Sequence, residues 1–398
     1  MRGLYTLAIR SYAVAVKVAA LLGNAKAKLW VEGRKRWPEA ESDDTSWVWF
    51  HAASLGEFEQ GRPLIEALKK QYPELKISLT FFSPSGYEIR KNYPLADEVS
   101  YLPVDTMKNA RRWVKRHHFV AAFFIKYEFW FNYMAALHEA GIPLYYISLI
   151  LKPNQYFFRW YGGWFRKQLH HVSHFFVQDD TTLKLLQGVG FDNVTRCGDT
   201  RFDRVADIAQ QARRFPEIEA FIGDRNCIIA GSSWPPDEKL LIPYLERLPE
   251  NYCMIIAPHD ISEKHVQQIR ENLKGVNPNK VYVIDTIGML SQLYQYARFV
   301  YIGGGFGVNI HNIQEPVTFG CPVVFGPKYK GFKEAVDLVQ LGGAFSINNQ
   351  DELNQTFDRL INDEALYQQA SITCKKYLES QLGATKAILE KITSTFSF

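Results

Sequence analysis

The sequence predicts an α/β protein made of two doubly wound, Rossmann-like domains preceded by a membrane-associated helix. Three observations carry this. The chain has 398 residues, more than one hydrophobic core ordinarily organises. Short apolar runs alternate with amphipathic runs along most of it, the pattern of parallel sheets covered by helices on both faces. The alternation pauses at a polar segment, "RCGDTRFDRV" (196–205), and then restarts. This places a domain boundary near residue 205 and gives segments 1–30, 31–205, 206–375 and 376–398.

The first segment contains "LYTLAIRSYAVAVKVAALL" (4–22), in which Arg10 and Lys17 lie seven apart and share a helix face with Asn24. A broad apolar surface with a narrow basic stripe suits a helix lying in a bilayer interface, and the run is also long enough to span. Residues 1–36 hold Arg2, Arg10, Lys17, Lys26, Lys28, Arg34, Lys35 and Arg36 against the single acid Glu32. An anionic lipid surface is the expected partner, ahead of nucleic acid. Ala25-Lys26-Ala27 looks like a signal-peptidase site, but Lys17 interrupts the apolar run that a signal peptide needs. The alternative for this segment is a soluble helix packed on its domain. The five cysteines form no CxxC pair, which suits reduced, buried thiols and speaks against disulfides or a zinc site. Hydrophobic residues at 47% and charged residues at 22% fit a globular chain with sizeable cores.

Strand-like runs follow at 46–52, 76–82, 98–104, 119–125, 143–151 and 174–178, with helix-like runs such as "LIEALKKQY" and "TMKNARRWVKRH" between them. After the boundary, a helical stretch reaches about 222, and strand-like runs recur at 226–233, 252–259, 280–285, 297–305 and 321–326. Two such domains facing across a cleft present the carboxyl ends of their strands to ligands. The informative residues are therefore those that follow strands.

In the second domain these are Ser232 and Ser233 before Pro235, then Pro258 and His259, then Gly303, Gly304 and Gly305, with His311, Asn312 and Glu315 around the next helix start. Serines before a proline-initiated helix can cap it, and free amides there can take a phosphate. Consecutive glycines permit close approach of a ligand to backbone. Together they favour a nucleotide site, with a carboxylate on ribose hydroxyls. In the first domain, "HAASLGEFEQGRP" (51–63) places Ser54, Gly56 and Glu57 after the first strand, and "IKYEFWFN" (125–132) places Glu128 after the fourth. Acids beside aromatics suit a hydroxyl-rich acceptor. Ser54-x-x-Glu57 also fits a capping box, and Pro63 argues for a kinked helix or a loop there. Whether Glu57 caps a helix or takes a proton stays open. A hexosyltransferase or epimerase using a UDP sugar, or a non-catalytic membrane-bound nucleotide-binding protein, is also compatible with these residues.

Along nearly its whole length the chain resembles the 3-deoxy-D-manno-octulosonic acid (Kdo) transferases of lipopolysaccharide synthesis. The resemblance rests on "HAASLGE", "YEFWFN", "GDTRFD", "AGSSWPPDE" and "IGGGFGVNIHNIQEP" followed by "GCPVVFGPKYKGF". It implies the GT-B glycosyltransferase fold, with a last helix crossing back, supplied by "KKYLESQLGATKAILEKI". It implies CMP-Kdo as donor substrate on the carboxyl-terminal domain and lipid IVA as acceptor at the cytoplasmic face of the inner membrane. Neither a metal nor another cofactor is implied, nor any nucleic acid. Glu57 matches the family's catalytic base and Glu128 its second acid. Ser232-Ser233, Pro258-His259, Gly303 to Gly305, His311, Asn312 and Glu315 match donor-side motifs, and Ser54 and Gly56 fall on the acceptor side. This chain departs from the pattern with Lys126 in place of an acid, Phe131 in place of proline and Arg201 in place of lysine, and family arginines are absent at Pro258-His259-Asp260 and in "SLILK" (148–152).

Overall fold

A computed structural model describes residues 1–35, 37 and 45–393. Arg36 of the basic run and residues 394–398 of the last segment lie outside the described residues. The chain forms two compact units, Met1–Asp203 with Gly383–Phe398, and Arg204–Leu382.

The first unit holds seven strands: β1 (Ser46–Ala52), β2 (Lys76–Phe81), β3 (Glu98–Tyr101), β4 (His118–Ile125), β5 (Leu144–Leu149), β6 (His174–Val177) and β7 (Val194–Arg196). They pair in parallel in the order β3-β2-β1-β4-β5-β6-β7. β1 shows why continuous apolar runs form such strands. Trp47 and Trp49 point into one core cluster, and Val48 and Phe50 into the cluster on the other face. The second unit holds β8 (Asn226–Ser233), β9 (Tyr252–Pro258), β10 (Val281–Val283), β11 (Ala297–Ile302), β12 (Val323–Phe325) and β13 (Ala344–Ser346). Their order is β10-β9-β8-β11-β12-β13, again parallel. In each sheet the strand order reverses once, between β1 and β4 and between β8 and β11. Ligand sites of doubly wound folds lie at such points.

Three details differ from the sequence expectation. β7 and β13 are three-residue edge strands, too short to stand out as apolar runs. The stretch after the boundary is two helices, Arg201–Gln210 and Pro216–Ile222, because Pro216 opens a new helix at its first turn. The carboxyl-terminal segment is also two helices, Glu364–Gln381 and Ala384–Thr393, parted at Gly383, whose φ is +96°. The break falls where the units divide, so only the second of these helices belongs to the first unit.

Helices α1 (Arg2–Leu21) and α2 (Ala25–Gly33) lead into the first unit. α1 is long and apolar enough to cross a membrane by length and composition. It buries Ala13 and Ala20, while Leu4, Leu7, Val14, Val18 and Leu21 remain exposed. Its tether is polar: the Tyr5 hydroxyl donates to Asp105 Oδ2 at 2.5 Å. The backbone N–H groups of Asn132 and Tyr133 also donate to this carboxylate. Burial pushes the Asp105 carboxyl up to about 6, with these donors pulling the other way. A carboxyl with a raised folded pKa binds protons more readily when folded. Its contribution to stability therefore falls as pH rises from 3.8 to about 6 and is flat above. Asp105→Asn is expected to remove that slope, read as the thermal midpoint across this window.

The glycine cluster after β11 packs closely against backbone in the second unit. A Cβ on Gly303 would lie 2.2 Å from the Ser232 carbonyl oxygen, and one on Gly305 would lie 2.7–2.8 Å from backbone atoms of Gly326. Backbone at these positions cannot move aside as a flexible side chain can. Gly305→Ala is expected to destabilise the fold by roughly 1–3 kcal/mol or more, measured by denaturant unfolding.

Candidate active site

At the reversal between β1 and β4, both strand ends turn sharply. β1 leads into Ser54, which opens the helix α3 (Leu55–Gln71). β4 ends at Ile125 and the chain turns through Lys126, held at φ +64°. α3 runs as one helix with Pro63 buried inside it, so of the two expected arrangements the chain does not adopt the loop. Glu57 lies in its first turn, half-buried. The capping box does not form. The Ser54 side chain caps no amide, and its hydroxyl donates to the Glu57 carboxylate. Gly56 is exposed, and a side chain there would meet only the Ser54 hydroxyl at 3.9 Å. Packing therefore does not require glycine at this position.

Glu128 is held differently. Its Oε2 lies 3.1 Å from His51 Nε2 and 2.8 Å from Trp130 Nε1. His51 is fully buried, and its Nδ1 lies 2.9 Å from the Thr80 hydroxyl, which accepts from Trp49 Nε1 at 2.8 Å. Thr80 also lies 3.2 Å from the Phe50 carbonyl oxygen and Trp130 Nε1 2.9 Å from His51 Nε2, so both His51 tautomers find partners here. In the tautomer with the proton on Nε2, Trp49 donates to Thr80, Thr80 donates to His51 Nδ1, and His51 Nε2–H and Trp130 N–H both donate to the Glu128 carboxylate. Tyr146 adds a hydrogen bond to the Glu128 carbonyl at 2.7 Å, and Trp130 stacks on Phe82 at 4.9 Å. Phe131 is core, as an aromatic on a buried helix face should be. His51 and Thr80 were missed from sequence. His51 is a strand-end residue and carried the signal, but Thr80 is brought to it only by the pairing of β1 with β2.

"GDTRFD" closes this unit structurally. Burial alone would raise the Asp199 carboxyl, yet the Arg201 guanidinium and its hydrogen bonds hold it below the usual carboxylate range. Asp203 accepts from the amides of Gly383 and Thr385 and so caps the last helix.

In the second unit, Ser232, Ser233 and Gly303 to Gly305 meet at the reversal between β8 and β11. Ser232 has φ +53°, a conformation that costs a non-glycine residue about 1–3 kcal/mol. The serines do not cap the following helix, Pro235–Tyr244. Its cap is Trp234, and Ser233 Oγ donates to Glu238 Oε1 at 2.9 Å. The N–H groups of Asp237 and Glu238 are taken by the Trp234 carbonyl, and the two prolines have none. The expected phosphate seat at this helix start is therefore filled by protein. The glycines likewise accommodate protein backbone, as described above. Asp237 Oδ2 accepts from Gly304 N and Trp234 N, and its Oδ1 from the Tyr301 hydroxyl. Burial raises the Asp237 carboxyl despite these donors.

Beside these residues three rings stack. Trp234 and His259 lie 4.8 Å apart, and His259 and His311 4.2 Å apart. Trp234 Nε1 donates to His311 Nε2 at 2.8 Å. Burial and the nearby His259 push the His311 imidazole down to about 4, so its Nε2 remains an acceptor at neutral pH. Pro258 ends β9, and His259 N bonds the Ser233 carbonyl at 2.9 Å. Asn312 Nδ2 donates to Glu315 Oε1 at 3.2 Å, with Glu315 in the first turn of the helix Gln314–Thr318. Trp234 was not among the sequence-derived candidates, although it stands directly at a strand end.

Residues 28–204 match the family model of the 3-deoxy-D-manno-octulosonic-acid transferases. The 3-deoxy-D-manno-octulosonic acid transferase of Rickettsia felis is 23% identical over 361 residues, covering 85% of this chain and 75% of that protein. Along most of its length the chain is thus similar to Kdo transferases. The fold is also shared with solved structures at low sequence identity. The UDP-GlcNAc 2-epimerase of Neisseria meningitidis, solved with UDP-GlcNAc, superposes with a TM-score of 0.62 at 14% identity, covering 88% of this chain and 99% of that one. MurG of Acinetobacter baumannii superposes with a TM-score of 0.58 at 15% identity, with the same coverage. The two parallel-sheet domains of this chain thus resemble those of GT-B glycosyltransferases.

Proposed function

We propose that this protein is a Kdo transferase that moves Kdo from CMP-Kdo to lipid IVA at the cytoplasmic face of the inner membrane. The observation that supports this most is the unequal holding of two carboxylates at one sheet reversal. Glu128 is engaged by His51 and Trp130. Among the described residues, Glu57 has the Ser54 hydroxyl as its hydrogen-bond partner, a bond an acceptor hydroxyl can share or replace. Glu57 is the base. It takes the acceptor proton as that oxygen attacks the anomeric carbon of Kdo. The bond from this carbon to the CMP phosphate breaks, CMP leaves with the electron pair, and configuration inverts. Glu128 orders the acceptor side. The ring stack of Trp234, His259 and His311 offers a surface for the donor, and Asn312 and Glu315 offer partners for ribose hydroxyls. The exposed apolar residues of α1 and its cations Arg10 and Lys17 suit an anionic membrane surface.

The test is incubation with CMP-Kdo and lipid IVA in detergent, followed by mass analysis of the lipid. A mass increase of one or more Kdo units is expected. An unchanged lipid, or transfer from a UDP sugar with none from CMP-Kdo, would overturn the reading.

A further inference from the structure

A cavity of about 440 Å³ lies against the inner side of α1, within the ~300–1,000 Å³ range of small-molecule sites. Its walls include Ile9 and Tyr12 of α1, Trp30 of α2, Phe82, Leu102 and Trp130. The lining is almost entirely carbon. Asp105 reaches its edge, but its oxygens are occupied by Tyr5, Asn132 and Tyr133. The cavity therefore offers an occupant contact area rather than hydrogen bonds.

Two features indicate which apolar group belongs there. On one side, α1 forms the wall, and the same helix exposes Leu4, Leu7, Val14 and Val18, a bilayer-facing type of surface. On the other side, Trp130 forms the wall with its ring while its N–H bonds Glu128. The cavity thus connects a bilayer-facing helix with the polar site after β4. A molecule filling it has an alkyl part near α1 and a polar part near Glu128, with exposed Arg10 and Lys17 on α1 to meet anionic groups. We infer that this cavity seats one acyl chain of the acceptor lipid, so that chain insertion positions the sugar at the carboxylates. This rests on the reading that the acceptor is a lipid.

Two measurements test it. First, KM is compared for lipid IVA and for its fully deacylated, water-soluble form, in the wild type and in Ala8→Phe. Ala8 lines the cavity and lies outside the polar site. The wild type is expected to show a KM at least about tenfold lower for the acylated form, since burying a few methylenes suffices for a tenfold effect. Ala8→Phe is expected to abolish that preference and leave the deacylated KM unchanged. Ile9→Phe fills the same space if Ala8→Phe does not fold. Second, lipid IVA bearing a diazirine at an acyl terminus is photolysed without donor. Labelling is expected on peptides containing Ile9 and Leu102 and is lost in Ala8→Phe. An unaltered acyl preference in both variants overturns the inference, as does equal labelling of the cavity by a diazirine phosphatidylglycerol. Labelling of the cavity without any Kdo transfer would instead refute the proposed reaction and leave the acyl site standing.

Discussion

Glu57→Gln is expected to lower the transfer rate by about 10²–10⁴-fold, the usual contribution of a positioned general base. The substitution keeps the side chain's shape and retains an oxygen that accepts the Ser54 hydroxyl. It removes only the ability to take a proton. Donor binding is expected to stay unchanged, because the stacked rings and strand ends assigned to the donor belong to the other unit. The measurement pairs CMP release in the presence of lipid IVA with calorimetric binding of CMP. A variant that binds CMP normally and still transfers at near wild-type rate would remove Glu57 from the role of base. A variant that loses CMP binding would place Glu57 in a different role altogether.

His51→Ala is expected to have the second largest effect, acting on stability and rate together. His51 is 0% exposed, so truncation leaves a void. It also strips partners from Thr80 and Glu128. Void and unsatisfied groups together amount to roughly 2–4 kcal/mol. Two further variants separate positioning from packing. In His51→Gln the side-chain amide reaches toward the place of Nε2, and a bond to Glu128 is retained. In His51→Asn the amide stops near the place of Nδ1, so contact with Thr80 survives and Glu128 is released. If His51 positions Glu128, kcat falls by about tenfold or more in His51→Asn relative to His51→Gln at similar thermal midpoints. Equal rates in the two variants would reduce His51 to a packing residue.

Much of this molecule is legible in its sequence. β1, β4 and β8 lie where the apolar runs placed them, since parallel strands buried on both faces consist of apolar residues throughout. The restart of the pattern after "GDTRFD" corresponds to a division of the chain at Asp203. The strand-end rule gathered Glu57 with Glu128, and Ser233 with Gly303, although each pair is about 70 residues apart in the chain. What failed was the assignment of partners. The glycines read as room for a ligand, and a side chain on Gly303 or Gly305 would also meet Ser232 or Gly326. Ser233 was read as a cap, and it bonds Glu238.

Hydrophobic periodicity, turn residues and strand-end chemistry are properties of neighbouring residues, so the α/β class, the two-part organisation and most candidate positions follow from the chain alone. The pairing of His51 with Thr80 and Glu128, the stack of Trp234 on two histidines, and the cavity beneath α1 depend on strand order, register and helix docking. These are non-local, and each buried polar group is free to take any donor or acceptor that folding brings within about 3 Å. Residue identity specifies that a buried histidine must be satisfied; only the assembled sheet selects which carboxylate satisfies it.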